Sequence, residues 1–260
     1  MLGKYAFRLR QGPATIARAS FNDLPFFRDA STAWRNTADN ADHLLVPGEN
    51  TMTLEVWRGP ASPEAPGIEG PVELSALKCE DESAMSLVSW PAFAIDAGED
   101  PMKLTMPFSW TTHFLVPDDH PKPAYASNPP EEVPRDGTPE LHEAVRAMHD
   151  ALARQDARAF VASFRLKLED YARFYDSPPE ASEAMLVRAY EARFTKRYDV
   201  APLEPDTLVF ESRAKKRAVY VTRKDGRPVF SARREEGEDV SSFDLDPIFI
   251  RRDKTWTLLR

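Results

Sequence analysis

The densest chemistry in this sequence is positive charge. Arg213, Lys215, Lys216 and Arg217 crowd together, and Arg223, Lys224, Arg227, Arg233 and Arg234 continue the run. The run fits a solvated sheet edge, where Lys and Arg deter unwanted strand pairing. Next comes a protein contact: Arg213, Lys215, Lys216, Arg217, Arg233 and Arg234 together suit an acidic counter-surface. Tyr220 could stack on a base, but no RNA-binding motif accompanies it, so nucleic acid is not expected. A second group is helical: His142, Arg146 and His149 recur at i, i+4 and i+7 on one face. Beside Glu143 and Asp150 that face reads as solvated rather than as the site of a general base.

Other chemistries are disfavoured. The nucleophile elbow G-x-S-x-G, the zinc motif H-E-x-x-H, the phosphate loop and G-x-G-x-x-G do not occur. The five histidines (His43, His113, His120, His142, His149) contain no i, i+4 pair, so no metal is expected, and no cofactor. The single cysteine, Cys79, excludes an internal disulfide, and Glu80, Asp81 and Glu82 beside it blunt a thiolate. Residues 36–43, NTADNADH, lack the regular acidic spacing of a calcium loop and read as a solvated connection. Trp34, Trp57, Trp90 and Trp110 read as core fillers before they read as a carbohydrate platform.

These residues need elements to hold them. The chain has 260 residues, 42% hydrophobic and 29% charged, enough for one large or two ordinary domains. Its charge of −8 disfavours bulk nucleic-acid binding, and 23 Pro against 10 Gly point to rigid loops. Tyr5, Phe7 and Leu9 alternate with polar neighbours as in a half-buried strand, and Ile16 and Phe21 follow a Gly-Pro turn. Pro47-Gly48-Glu49-Asn50 reads as a turn between Leu44–Val46 and the run Met52, Leu54, Val56, Trp57. Further strands are expected at 71–79, 86–95 and 102–110, which together make an all-β sandwich over 1–116. Seven of the 23 residues in 117–139 are proline, so 117–137 reads as a semi-rigid linker.

Residues 138–260 begin with three expected helices. Thr138-Pro139 opens the first, with Leu141, Val145, Met148 and Leu152 inward. Asp156 caps a second, whose face carries Phe160, Phe164, Leu168, Tyr171 and Tyr175. Ser177 to Glu180 reads as a capping box for a third, burying Val187, Tyr190, Phe194 and Tyr198. Then Ala218–Thr222 is expected to pair with Val229–Ala232 across Asp225-Gly226, with Val221 opposite Phe230 and Arg217 opposite Arg234. Phe243–Arg251 and Thr255–Leu259 close the sheet.

Two stretches carry resemblances. Leu44-Leu45-Val46-Pro47-Gly48-Glu49-Asn50-Thr51-Met52-Thr53-Leu54-Glu55-Val56 resembles an edge of jelly-roll and fibronectin-like sandwiches, modules that often bind carbohydrate or protein. His149 to Phe160 is similar to the first-to-second helix step of nuclear transport factor 2-like (NTF2-like) domains. Phe249 to Leu258 is similar to their last hairpin, with Lys254-Thr255 where a glycine is usual. The second resemblance covers about 120 residues and implies an α+β cone, three helices packed on a curved antiparallel sheet. It also implies a pocket between them that is catalytic, ligand-binding or filled, and a sheet face that commonly dimerises. Enzymatic members carry an Asp–His pair or an acid with Tyr donors, which makes His142, His149, Asp176, Tyr171 and Tyr190 the candidates. None sits at a family motif position, and no catalytic residue is assigned.

The expected molecule is a two-domain chain, an all-β sandwich followed by an NTF2-like cone over 138–260. Its expected role is that of a non-enzymatic bacterial interaction protein, immunity-like or an adaptor of a toxin or secretion system, with a protein partner and possible self-association through the carboxy-terminal sheet. The Arg-, Ala-, Pro- and Asp-heavy usage points to a GC-rich genome. The alternatives are a small-molecule pocket or enzyme on the cone, and glycan binding by the sandwich. MLGKYAFRLRQGP lacks the apolar core of a signal peptide, and no window approaches the ~18 apolar residues of a membrane helix, so a cytoplasmic, non-membrane protein is expected.

Overall fold

The structure, a computed structural model, describes residues 4–11, 15–29, 35–58, 72–79, 87–95, 108–236 and 239–260. They form a sheet-rich α+β fold with four antiparallel sheets. The chain divides into two compact units, Met1–Pro123 and Ala124–Arg260.

The first unit contains β1 (Tyr5–Gln11), β2 (Thr15–Phe21), β3 (Leu24–Asp29), β4 (Arg35–Asn40), β5 (Gly48–Arg58), β6 (Val72–Cys79), β7 (Leu87–Ile95) and β8 (Phe108–Val116). Their orders are β4-β1-β6-β7 and β3-β2-β5-β8. Period-2 alternation explains the core: Tyr5, Phe7 and Leu9 of one sheet join Ala17, Ala19, Phe21, Met52, Leu54 and Val56 of the other in one apolar cluster. The strand expected at 102–110 meets β8 at 108–110, and β8 runs on to Val116; residues 102–107 lie outside the described ones.

Residues 36–43 are not a solvated connection. Despite weak strand propensity, 35–40 pair with β1, Ala6 opposite Asn40, and Asp42–Leu44 form a buried 3-10 turn. Backbone ladder bonds and the Asp42 carboxylate, which accepts the Lys4 and Tyr5 amides at 3.1 Å each, override propensity there. The turn before β5 depends on Asn50, which is wholly buried. Its Oδ1 accepts the Val46 amide at 2.8 Å, while its Nδ2 donates to the Val46 carbonyl at 2.7 Å. Gly48, at φ +84°, supplies the left-handed bend.

The second unit contains α1 (Ala124–Ser127), α2 (Pro139–Ala153), α3 (Ala157–Ala162), α4 (Arg165–Tyr175), α5 (Pro179–Phe194), β9 (Asp199–Val200), β10 (Leu208–Arg213), β11 (Ala218–Arg223), β12 (Phe230–Glu236), β13 (Asp239–Leu245), β14 (Ile248–Arg252) and β15 (Thr255–Leu258). The strands form two sheets, β10-β11-β14-β15 and β13-β12-β9. Helix α2 begins as its sequence implies: the Thr138 hydroxyl accepts the Leu141 amide, and Leu141, Val145, Met148 and Leu152 are buried. Burying each of these stabilises the fold by about 1.5–3 kcal/mol.

Four local expectations change. The helix after Asp156 breaks into α3 and α4 at Ser163-Phe164, where the Ser163 hydroxyl donates to the Phe160 carbonyl. The capping box does not form. Helix α5 starts at Pro179 with Pro178 as its cap, Ser177 pairs with Ser182, and Glu180 is drawn to Arg165 at 3.0 Å. Nor is α5 deeply buried: Val187, Tyr190 and Phe194 are half-buried, and only Tyr198, beyond the helix, is fully so.

The third change matters most for the basic run. Strands β11 and β12 do not form a hairpin; β11 pairs with β10 (Val221 opposite Phe210) and β14 (Val219 opposite Phe249), whereas β12 pairs with β13 and β9. The Asp225 carboxylate is occupied by Arg223 and Arg227 at 2.8 Å each, and the Val229 amide donates to Asp246 instead of to β11. Asp225-Gly226 therefore still turns the chain, but delivers it to the other sheet. Finally, Pro247, which has no amide to donate, separates β13 from β14, so Phe243–Arg251 is two strands. The last hairpin turns through Asp253 (φ 49°) and Lys254 (φ 69°), which take the left-handed conformation that favours glycine.

Candidate functional site

Because β10 and β11 are joined directly, the basic run becomes a tight turn. Ala214, Lys215 and Lys216 all have positive φ (51°, 57° and 65°), a conformation that costs a non-glycine residue about 1–2 kcal/mol. Neighbours hold it there. The Arg217 amide donates to the Arg213 carbonyl at 3.0 Å, and the Lys216 carbonyl accepts the Glu131 amide. The Asn128 side-chain amide donates to the Arg217 carbonyl at 3.0 Å. The result is a rigid basic tip built from strained backbone, which is where functional strain concentrates.

The cations at this tip are engaged unequally. Arg213 pairs with Glu211, and Lys216 reaches the exposed Glu132 at 2.8 Å, which holds that carboxyl below its usual range. Lys215 is exposed. The Nε of half-buried Arg217 is itself buried with no hydrogen-bond acceptor. Continuing the β11–β14 register by two residues sets Arg217 against Arg251, whose guanidinium binds Glu131 and lies 5.9 Å from the Trp256 ring centre. Arg251 lies 34 positions from Arg217 in the sequence, and only the pairing of β11 with β14 brings their strands together.

Arg233 and Arg234 belong elsewhere. They lie on β12, opposite Ser242 and Ser241, and the Arg234 guanidinium stacks 5.6 Å over Tyr198. The expected facing pair of Arg217 and Arg234 does not exist, since their strands occupy different sheets.

The candidates of the catalytic reading are dispersed. His142 Nε2 donates to the Asp136 carbonyl at 2.8 Å and His149 Nε2 to the Ala201 carbonyl at 2.9 Å. A carbonyl only accepts, so both rings carry their proton on Nε2 and tie α2 to neighbouring segments. Both are half-buried, so that face is less solvated than its sequence implied. Asp176 ends α4 in the left-handed region, exposed, at φ 47°. Tyr171 stacks edge-on against Tyr175 at 5.1 Å. Tyr190 packs against Phe160 at 5.1 Å, and burial pushes its hydroxyl pKa up. Phe160, fully buried, also meets Phe164, Phe194 and Phe243 at 5.2, 6.4 and 5.8 Å. These rings pack on one another around Phe160, in the region expected to line a cavity.

Two buried aspartates went unnoticed in the sequence. Asp42 accepts the Lys4 and Tyr5 amides, and its carbonyl accepts from His120 Nε2 at 2.9 Å. Asp170 accepts the Ala124 amide on both oxygens and Arg173 at 3.3 Å. Burial raises both carboxyl pKa values. Their oxygens are filled by backbone amides, which makes them fasteners of backbone segments rather than acids facing a substrate. Among the described residues no group of three or more His, Cys, Asp or Glu is placed to hold a metal. Trp110 packs on the first unit's core, while Trp57 sits on the opposite sheet face with the Arg18 guanidinium 5.3 Å from its ring centre. They form no coplanar pair; Trp34 and the side chain of Trp90 lie outside the described residues. No described helix is long and apolar enough to cross a membrane.

Comparison with protein-family models, curated proteins and solved structures finds no match to the chain.

Proposed function

We propose that this chain is a non-enzymatic, cytoplasmic interaction protein of a bacterium, immunity-like or an adaptor of a toxin or secretion system. Its contact with an acidic partner is made by the basic turn of the second unit. The observation that supports this is the turn itself: three successive strained residues, fixed by bonds from 128 and 131, display Lys215 beside Arg217, and Glu131 ties Arg251 to the same region. A rigid tip loses little entropy on binding, and clustered cations speed encounter with an acidic surface. The mutual ring contacts around Phe160 weigh against the small-molecule alternative, and the opposed faces of Trp57 and Trp110 weigh against a glycan platform.

The layout proposed with this role is a sandwich over 1–116 and an NTF2-like cone over 138–260. One apolar cluster drawn from both sheets supports the former, and one shared by helices and strands supports the latter.

The test is affinity capture from native cells with the full chain. Wild-type protein is expected to retain one stoichiometric partner, and Lys215→Glu with Arg217→Glu to lose at least nine-tenths of it. Failure to recover a stoichiometric partner, or equal recovery by the reversed variant, refutes the proposal.

A further inference from the structure

The chain lays its own acidic peptide on this basic edge. Residues 128–135, Asn-Pro-Pro-Glu-Glu-Val-Pro-Arg, run beside β10 and the turn, to which their backbone and side chains are bonded. The Glu131 amide donates to the Lys216 carbonyl, the Val133 amide to the Ser212 hydroxyl at 3.3 Å, and the Phe210 amide to the Arg135 carbonyl at 2.9 Å. Two successive carboxylates then take two cations from different parts of the sheet, Glu131 binding Arg251 and Glu132 binding Lys216.

The two ends of this strap are held differently. Val133 is buried in the core, and at Gly137 the backbone passes so close to Phe210 that an added Cβ would lie 2.5 Å from a ring carbon. The carboxyl end is thus fixed by packing. The glutamates are held by partly exposed ion pairs, with Lys216 52% and Glu132 77% exposed, and such pairs contribute little net stability and exchange readily. The two carboxylates can exchange while Val133 and the backbone bond from Glu131 to Lys216 stay.

Resting on the proposed role as a protein-interaction protein, we infer that Glu131 and Glu132 are a resident pseudo-ligand. The Lys216–Arg251 pair is a recognition site for an acidic, proline-flanked segment of the partner, and the strap occupies it until that segment arrives. The geometry specifies the ligand: adjacent carboxylates on a proline-flanked backbone, one meeting the planar guanidinium of Arg251 and one the ammonium of Lys216. The strap raises the threshold for binding, because a tethered competitor acts at an effective concentration of about millimolar. An incoming peptide must offer a third contact, which exposed Lys215 and Arg217 supply. A lone acidic residue would not displace it.

The test uses the full chain and a fluorescein-labelled synthetic peptide of residues 128–135, with a twin in which both glutamates are glutamine. Anisotropy is read at low salt. Glu131→Gln with Glu132→Gln is expected to bind the acidic peptide at least tenfold more tightly than wild type. Adding Lys216→Glu should abolish that gain, and the glutamine twin should bind neither protein. Far-UV circular dichroism confirms that each variant is folded; should Lys216→Glu not fold, Arg251→Gln replaces it with the same expectation. Equal affinity of wild type and the glutamine variant, or equal binding of the twin, overturns the inference. A peptide that binds as expected while native cells yield no partner leaves this site standing and removes the proposed role; the converse removes only this site.

Discussion

Asp42 and Asp225 are both carboxylates with partners, but burial separates their behaviour. Burial raises the Asp42 pKa above its ordinary 3.8 despite the Lys4 and Tyr5 amides and nearby His120. Its protonated form is favoured by folding, so the attached stability is fully present below pH 3.8 and fades as pH rises through the folded value. Asp225 is the reverse. Hydrogen bonds from Arg223 and Arg227 hold its pKa well below 3.8, so its contribution is present above that pH and fades as pH falls through the folded value. Thermal unfolding between pH 3 and 7 should therefore show the wild-type advantage over Asp42→Asn growing on acidification. The advantage over Asp225→Asn should shrink below about pH 4. Parallel curves for the two variants would contradict these assignments. The sequence hides the burial of Asp42: nothing near it distinguishes it from the other acids of NTADNADH, and burial is a property of the assembled strands.

Helix α2 was fully legible, because a cap, a proline and a 3.6-residue stripe are all local. Leu141→Ala should cost about 2–5 kcal/mol of unfolding free energy in denaturant titration. Met185→Ser on α5, at 65% exposure, should change it by less than about 0.5 kcal/mol. A loss under about 1 kcal/mol for Leu141→Ala would contradict the core placement. The β11–β12 hairpin was misread where the competition is not local. Asp-Gly specifies a turn but not which strand follows, and β14, nearly 30 residues downstream, takes the place beside β11. The break between α3 and α4 and the lost capping box have the same origin. A hydroxyl and a distant guanidinium, Ser163 and Arg165, compete for groups that the local pattern reserved for a helix.

Over the whole chain, charge is unevenly placed. Residues 1–137 carry 11 basic and 20 acidic side chains, and 138–260 carry 23 and 22. Composition thus foretold which half could offer a cationic contact. It did not foretell that Arg233 and Arg234 would leave the cluster and Arg251 join it, since sheet membership decides both. Nor did it show that the proline-rich stretch, expected as a spacer, would place Glu131 and Glu132 on those cations. The central claim is that the basic turn meets an acidic protein surface, and zero-length carbodiimide cross-linking in native lysate tests it most directly. Lys215 should join to aspartate or glutamate of one partner protein, at least tenfold more often than exposed Lys254. Absence of an intermolecular cross-link at Lys215, or equal yields at Lys215 and Lys254, would contradict the claim.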